Sequence, residues 1–325
     1  MAKSLLRKPQ SRKQGLKILA YGIDGSGKSV FGLGFPEVAI IDSESKVGVY
    51  EGNERGKNIV AVADTSNYYD TLDVIEEVIK NDLCKTLMID SETYIKEGME
   101  VACMEVEEER AKKKKSDANI DDQTISMRGY GKIKLNSNRM RLLKAQASSK
   151  GITIISTAHK EDIMKKVSAT ESIKIGEKPS LRKNSQHDYD IILRFYKEKD
   201  LATGKMKYLA EVEKDTTETL EVGSVIENPS YELFKDYIEK NDKLKSIETT
   251  YDENIDKNME TMQKEAEDFE DVEKEFTELF KALKTKDKNN VTVITNLLKE
   301  KGIDSYKNPE HFEKLKEVVA ILKTM

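Results

Sequence analysis

The chain has 325 residues, of which 35% are charged and 37% hydrophobic, with a formal net charge of -5. That length fits about two domains, and no apolar run approaches the roughly 18 residues a membrane span needs, which removes channels and embedded carriers from consideration. Cys84 and Cys103 lie apart without metal-type spacing and read as reduced thiols of an intracellular protein.

Residues 1–14 contain no acidic side chain and no apolar stretch of the signal-peptide kind, so they read as a basic N-terminal arm. The core follows over 15–240. Six apolar runs, "LKILAYG", "VAIID", "NIVAVA", "KTLMID", "GITIISTA" and "DIILRFY", read as strands buried on both faces. Helical spacing separates several of them, with Leu72, Ile75, Val78 and Ile79 on one face and Ile133, Met140, Leu143 and Ala147 on another. Strands alternating with helices imply an α/β fold with a mainly parallel sheet. The alternation of Met206, Tyr208, Ala210 and Val212 after the turn "DLATGK" predicts an antiparallel hairpin at a sheet edge.

Composition then changes. Residues 241–280 hold 14 Asp and Glu against 5 Lys, and the Gly-free, Pro-free stretch 241–272, with little apolar payload, reads as an acidic linker, helical in part. Three short amphipathic helices, marked by Phe276 to Leu283, Val293 to Leu298 and Phe312 to Leu322, predict a small helical bundle over 273–325.

"YGIDGSGKS" carries the chemistry. Gly22, Gly27, Lys28 and Ser29 fit G-x-x-x-x-G-K-[ST], with a strand before and a helical pattern after. In such a loop the backbone of Gly22, Ile23, Asp24, Gly25, Ser26 and Gly27 curls so that its N-H groups face phosphate oxygens. Lys28 reaches the outer phosphates, and Ser29 offers a hydroxyl to Mg2+. "KTLMIDSET" ends its strand in Asp90, placed to hold the Mg2+ shell with Ser29. Glu44 lies just past "VAIID", where a carboxylate can orient a water; a solvated strand-end acid is the equal alternative on spacing alone.

The order of loop, "IDSE", "MIDSET", "YGKIK", "ISTAHK" and "EVEKD" resembles the compact RecA-like P-loop ATPases of bacteriophages, the single-strand annealing or recombinase-like group of AAA family nucleotide-binding proteins. The resemblance covers about two thirds of the chain and implies a RecA-like P-loop NTPase core binding ATP and Mg2+. It makes Glu44 the catalytic carboxylate, "MIDSET" the Walker B strand and His159 the sensor of the terminal phosphate, at a place where that family often has Gln. Such ATPases often carry a late pair of cations that reach a neighbouring subunit's nucleotide. Here Lys214 matches one, and Thr216 replaces the other.

The resemblance further implies a homo-oligomer in the cytoplasm of a bacterial host. Its single-stranded DNA would run along the segments after the Walker B and sensor strands. Arg128, Tyr130 and Lys132 in the first segment and Lys165, Lys166, Arg182 and Lys183 in the second are the candidate contacts, cations for phosphates and an aromatic for an unpaired base. The run "EVEEERAKKKK" holds i,i+4 acid-base pairs and reads first as a solvated helix face, whereas 160–187 reads as loop. The expected function is thus an ATP-hydrolysing recombination protein acting on single-stranded DNA by annealing or strand exchange, with the C-terminal module for a protein partner. A helicase or packaging motor and a non-hydrolysing, ATP-switched scaffold are the alternatives.

Overall fold

A computed structural model describes residues 8–114, 124–168, 171–245 and 251–324. The chain divides into two compact units, the first ending at Glu248 and the second starting at Thr249. In the first unit a nine-stranded sheet is built from β1 (Lys17–Gly22), β2 (Val38–Asp42), β3 (Ile59–Asp64), β4 (Thr86–Asp90), β5 (Thr153–Lys166), β6 (Ser172–Pro179), β7 (Ile191–Lys199), β8 (Met206–Asp215) and β9 (Val225–Glu227). Their order is β3-β2-β4-β5-β1-β7-β8-β9, and β6 pairs with β5. All pairs from β3 to β7 along that path are parallel, while β8 and β9 add on antiparallel. The fold is therefore α/β with a mostly parallel sheet.

Successive strand residues point to opposite faces, so strands buried on both sides feed two cores. Ile40, Met88, Ile155 and Leu193 pack on one face with Phe31, Phe35 and Phe234. Ile41, Leu87, Ile89 and Ile154 pack on the other with Ile75, Met140 and Ala147. The first face is covered by α1 (Lys28–Leu33) and the segment through α5 (Lys235–Asp242). The second is covered by α2 (Tyr68–Asn81), α3 (Glu92–Lys114) and α4 (Met127–Ser149). Helix α1 is only six residues long; it stops at Gly34, and Pro36 disfavours helix at the residue before it. Asn67 caps α2 by accepting from the N-H groups of Tyr69 and Asp70 at 2.8 and 3.3 Å.

Three sequence expectations change. β3 is a half-exposed edge strand rather than one buried on both faces, because only β2 flanks it. Residues 160–179 are not loop. β5 runs on past the sheet and turns back as β6, an antiparallel arm that sequence reading missed because both its faces are largely exposed. The acidic stretch 241–272 is helix from Tyr251 onward, the start of the 36-residue α6 (Tyr251–Lys286). Phe269 at 8% exposure joins the bundle core with Phe276 and Leu283, so the apolar stripe reaches further into the acidic segment than its composition suggests.

In the second unit α6 packs with α7 (Asn289–Glu300) and α8 (Phe312–Leu322) around Ile294, Leu315, Val318 and Leu322. Cys84 and Cys103 are free thiols, and burial pushes Cys84 up to about 11. Among the described residues no helix is long and apolar enough to cross a membrane.

Candidate functional site

Parallel strands bring their carboxyl ends to one edge of the sheet, where ligands of open α/β sheets bind. Here that edge collects the ends of β1, β2 and β4 and the middle of β5: Gly22, Asp42, Asp90 and His159. The loop 22–29 leaves β1 at Gly22, whose φ of 153° and close approach, 1.9 Å from Phe195 O to an added Cβ, admit only glycine. Gly27 at φ 96° turns the chain into α1. Ser26 ties the loop by donating to Ile23 O at 2.7 Å.

Lys28 is buried at 8% exposure and donates to Gly22 O at 3.2 Å and Ile23 O at 2.9 Å. Burial lowers the pKa of its ammonium against the pull of Asp24, Asp90 and Glu44. Asp90 is buried at 6% exposure, and Thr157 Oγ1 donates to its Oδ1 at 2.5 Å. Burial raises its carboxyl pKa, while hydrogen bonds from Thr157 and from the Ser29 hydroxyl oppose the rise. The structure thus brings Ser29 and Asp90 into contact.

Glu44 is held by two clips. Asp42 accepts from the N-H groups of Glu44 at 3.1 Å and Val47 at 2.7 Å, fixing the turn after β2. Ser43 Oγ donates to Ser91 O and accepts from Ser91 N, both at 2.8 Å, which fastens that turn to the end of β4. The Glu44 side chain, 8% exposed, meets His159 Nε2 at 2.9 Å and Lys46 Nζ at 2.5 Å. Burial alone would raise the Glu44 pKa, but hydrogen bonds from Lys46 and Ser91, with the neighbouring His159, outweigh it and hold the carboxyl below its ordinary value. Such a group stays anionic at neutral pH. His159 also lies 3.9 Å from Asp24 of the loop, and its N-H donates to Thr93 Oγ1 at 3.0 Å.

The loop, Glu44, Asp90 and His159 therefore share one site, and Lys214 does not. Lys214 sits near the far end of antiparallel β8, opposite Ile192, and donates to Gln186 O and Tyr189 O. Its own loop lies at the other edge of the sheet.

The nucleic-acid candidates fall in two places. Arg128 and Lys132 on α4 line a cavity of about 410 Å3 with Tyr68, Met99 and Ile133, and Tyr130 is exposed nearby. On the β5–β6 arm, Lys160, Asp162, Lys174 and Glu177 close an ion-pair network, and Lys178 pairs with Glu161. Lys165 and Lys166 remain without an ion pair to any described residue. Beyond the arm, Arg182 pairs with Asp188 at 2.5 Å, whereas Lys183 is exposed. Of the lysine run at 112–115, Lys112 pairs with Glu108 at 2.6 Å, and Lys115 lies outside the described residues.

Sequence reading missed Thr157, Lys46 and Lys197. Lys197 on β7 donates to Asp24 O at 3.2 Å; its approach depends on the register that sets Phe195 beside Gly22, which no motif encodes. Thr157 carried a usable signal, two residues before His159 on the same strand and so on the same face.

These residues fit a nucleotide polyphosphate with a divalent cation. The cradle is glycine-lined, its lysine is held by backbone carbonyls, and a hydroxyl touches a buried carboxyl at its end. The family described as AAA domain matches residues 14–221, which hold every one of these groups. No curated protein matches the chain.

Proposed function

The chain belongs to the AAA domain family, and from that premise we propose that it is a Mg2+-dependent ATPase of the RecA-like kind, encoded by a bacteriophage, that acts on single-stranded DNA in annealing or strand exchange. Family membership supports a nucleotide-binding P-loop core of the ATPase kind; hydrolysis and the DNA reaction are our reading. One observation carries it. Strand β5 holds Thr157 on Asp90 and His159 on Glu44, then continues unbroken to Lys165 and Lys166 on the exposed arm. One strand, with a register shift against β6 between Ile163 and Met164, so joins the residues that would meet the terminal phosphate to cations suited to a phosphate backbone.

Lys28 would bind the outer phosphates, and Ser29 with Asp90 would hold Mg2+, whose charge offsets that of the triphosphate when bound. Glu44, anionic and fixed by Asp42 and Ser43, accepts a proton from an attacking water at a carboxylate oxygen. His159, bonded to that carboxylate, registers whether its surroundings carry phosphate charge. Lys214, remote from its own loop, would act at the nucleotide of another copy in a homo-oligomer. The C-terminal bundle, with Val293 exposed, is proposed as the dock of a protein partner.

The deciding experiment measures ATP turnover with and without single-stranded DNA, then strand annealing against duplex unwinding. Stimulated turnover with annealing or exchange supports the reading. ATP-driven unwinding without annealing would make the protein a motor, and tight ATP binding without turnover would make it a scaffold.

A further inference from the structure

Two lysines approach the loop 22–29, from opposite directions. Lys28 donates to Gly22 O and Ile23 O, and Lys197 donates to the next carbonyl, Asp24 O, at 3.2 Å. Three consecutive carbonyls of one loop thus hold two ammonium groups. Lys197 stands on β7, two residues past Phe195, which pairs with Gly22 in register. Its Nζ is 3.2 Å from where a Cβ on Gly25 would be. Across the β7–β8 pair it faces Tyr208, whose ring lies 3.9 Å from the corresponding point on Gly27. Lys197 and Tyr208 form a wall along the open side of the loop.

The charge at Lys197 has no carboxylate to answer it. The side chain is exposed and makes no ion pair with any described residue. A latch that only fixed the loop would need no ammonium, since a neutral donor serves a carbonyl. A phosphate oxygen meets the ammonium with a full opposite charge where the carbonyl offers only a dipole, so an anion beside Asp24 draws the ammonium from the carbonyl. On the other flank of Asp24 stands His159, 3.9 Å from its carboxylate and bonded to Glu44. Asp24 therefore lies between the residues proposed for the terminal phosphate and Lys197.

The geometry points to Lys197 as a second, same-chain lysine of the phosphate site, one that contacts the outermost phosphate of a nucleoside triphosphate and favours it over the diphosphate. The inference rests on the nucleotide reading and adds a residue that no part of the loop motif contains. Lys28 is the cation of the phosphate chain as a whole, and Lys197 confers the preference for its last member.

Equilibrium binding of Mg-ATP and Mg-ADP to the full chain, with no turnover readout, decides it for the wild type, Lys197→Ala and Lys197→Arg. The expected result is a loss of ATP affinity of about tenfold in Lys197→Ala, the scale of one hydrogen bond to a charged group, with ADP affinity changed by less than about twofold. Lys197→Arg keeps the charge and restores the preference for ATP. Equal weakening of both nucleotides would make Lys197 a structural latch and overturn the assignment, as would unchanged binding of ATP. A Lys28→Ala control separates the two levels. If it leaves ATP binding intact, the loop itself is misread, whereas if it abolishes binding while Lys197→Ala has no effect, only the Lys197 assignment fails.

Discussion

At Glu44 charge and shape can be separated. Glu44→Gln keeps the volume and the backbone clips from Asp42 and Ser43 but removes the anion, so ATP affinity stays near normal and turnover falls by about a hundredfold or more, the usual scale for a lost general base. Single-turnover and binding measurements on the same preparation check both halves. The pH profile tests the neighbour. Because the Lys46 hydrogen bond helps hold the Glu44 carboxyl below its ordinary value, activity is retained down to that depressed value and lost as pH falls through it. Lys46→Met removes the bond, and the acid limb of the profile moves to higher pH. At this scale the sequence was informative wherever spacing along the chain determines contact, as in the loop from Gly22 to Ser29. It was silent where contact depends on strand register. Lys197 reaches Asp24 only because β7 lies beside β1.

Helices α3 and α4 are pinned to the sheet by a buried trio. Lys144 Nζ, 3% exposed, donates to Glu92 Oε1 and Oε2 at 3.1 and 2.9 Å and to the Tyr189 hydroxyl at 2.8 Å, and that hydroxyl donates to Glu92 at 2.5 Å. Burial pushes the Glu92 carboxyl up, but the Lys144 charge and the hydrogen bonds from Tyr189 and Lys144 bring it below its usual value. It therefore contributes stability above the ordinary carboxylate range that is lost as pH falls through the depressed value. Lys144→Met leaves the carboxylate without its cation, a change that costs about 3–5 kcal/mol when one partner of a buried pair is removed. The dependence on pH then inverts. With burial dominant, the Glu92 pKa rises and the variant loses stability as pH increases toward neutral, which denaturant midpoints at several pH values will show. On the arm, replacing Lys165 and Lys166 by Ala lowers the slope of log affinity against log salt by about 1.4 for single strands if both contact phosphates. An unchanged slope would remove the arm from the DNA path. The six strands β1 to β5 and β7 were legible because each holds an apolar run. β6 was not, since "SIKIGEKP" has no buried face of its own and is a strand only through pairing with β5.

For the whole chain, the division after Glu248 implies separable folding. A chain ending at Lys245 keeps all of the loop, Glu44, Asp90 and His159, so nucleotide affinity is unchanged, and calorimetry loses the transition that belongs to the bundle. Loss of affinity in a folded truncation would show that the second unit contributes to the site. The composition change near residue 241 signalled a second module. Its helical beginning was obscured because acidic residues outnumber apolar ones over 251–272, and the stripe at Phe269, Val272 and Phe276 becomes decisive only when α7 and α8 are there to cover it.

β5 pairs with β4 as far as Ser156 and with β1 as far as His159, and from Lys160 onward its described strand partner is β6. Mechanically it is a beam fixed at one end. Lys166 lies seven residue steps beyond His159, an overhang of about 23 Å at roughly 3.3 Å per residue. A tilt of about five degrees at the fixed end sweeps the tip by about 2 Å on that overhang, close to half the spacing between paired strands. A small tilt at the fixed end is thus magnified, across the register shift between Ile163 and Met164, into a displacement of nearly half a strand spacing at Lys165 and Lys166.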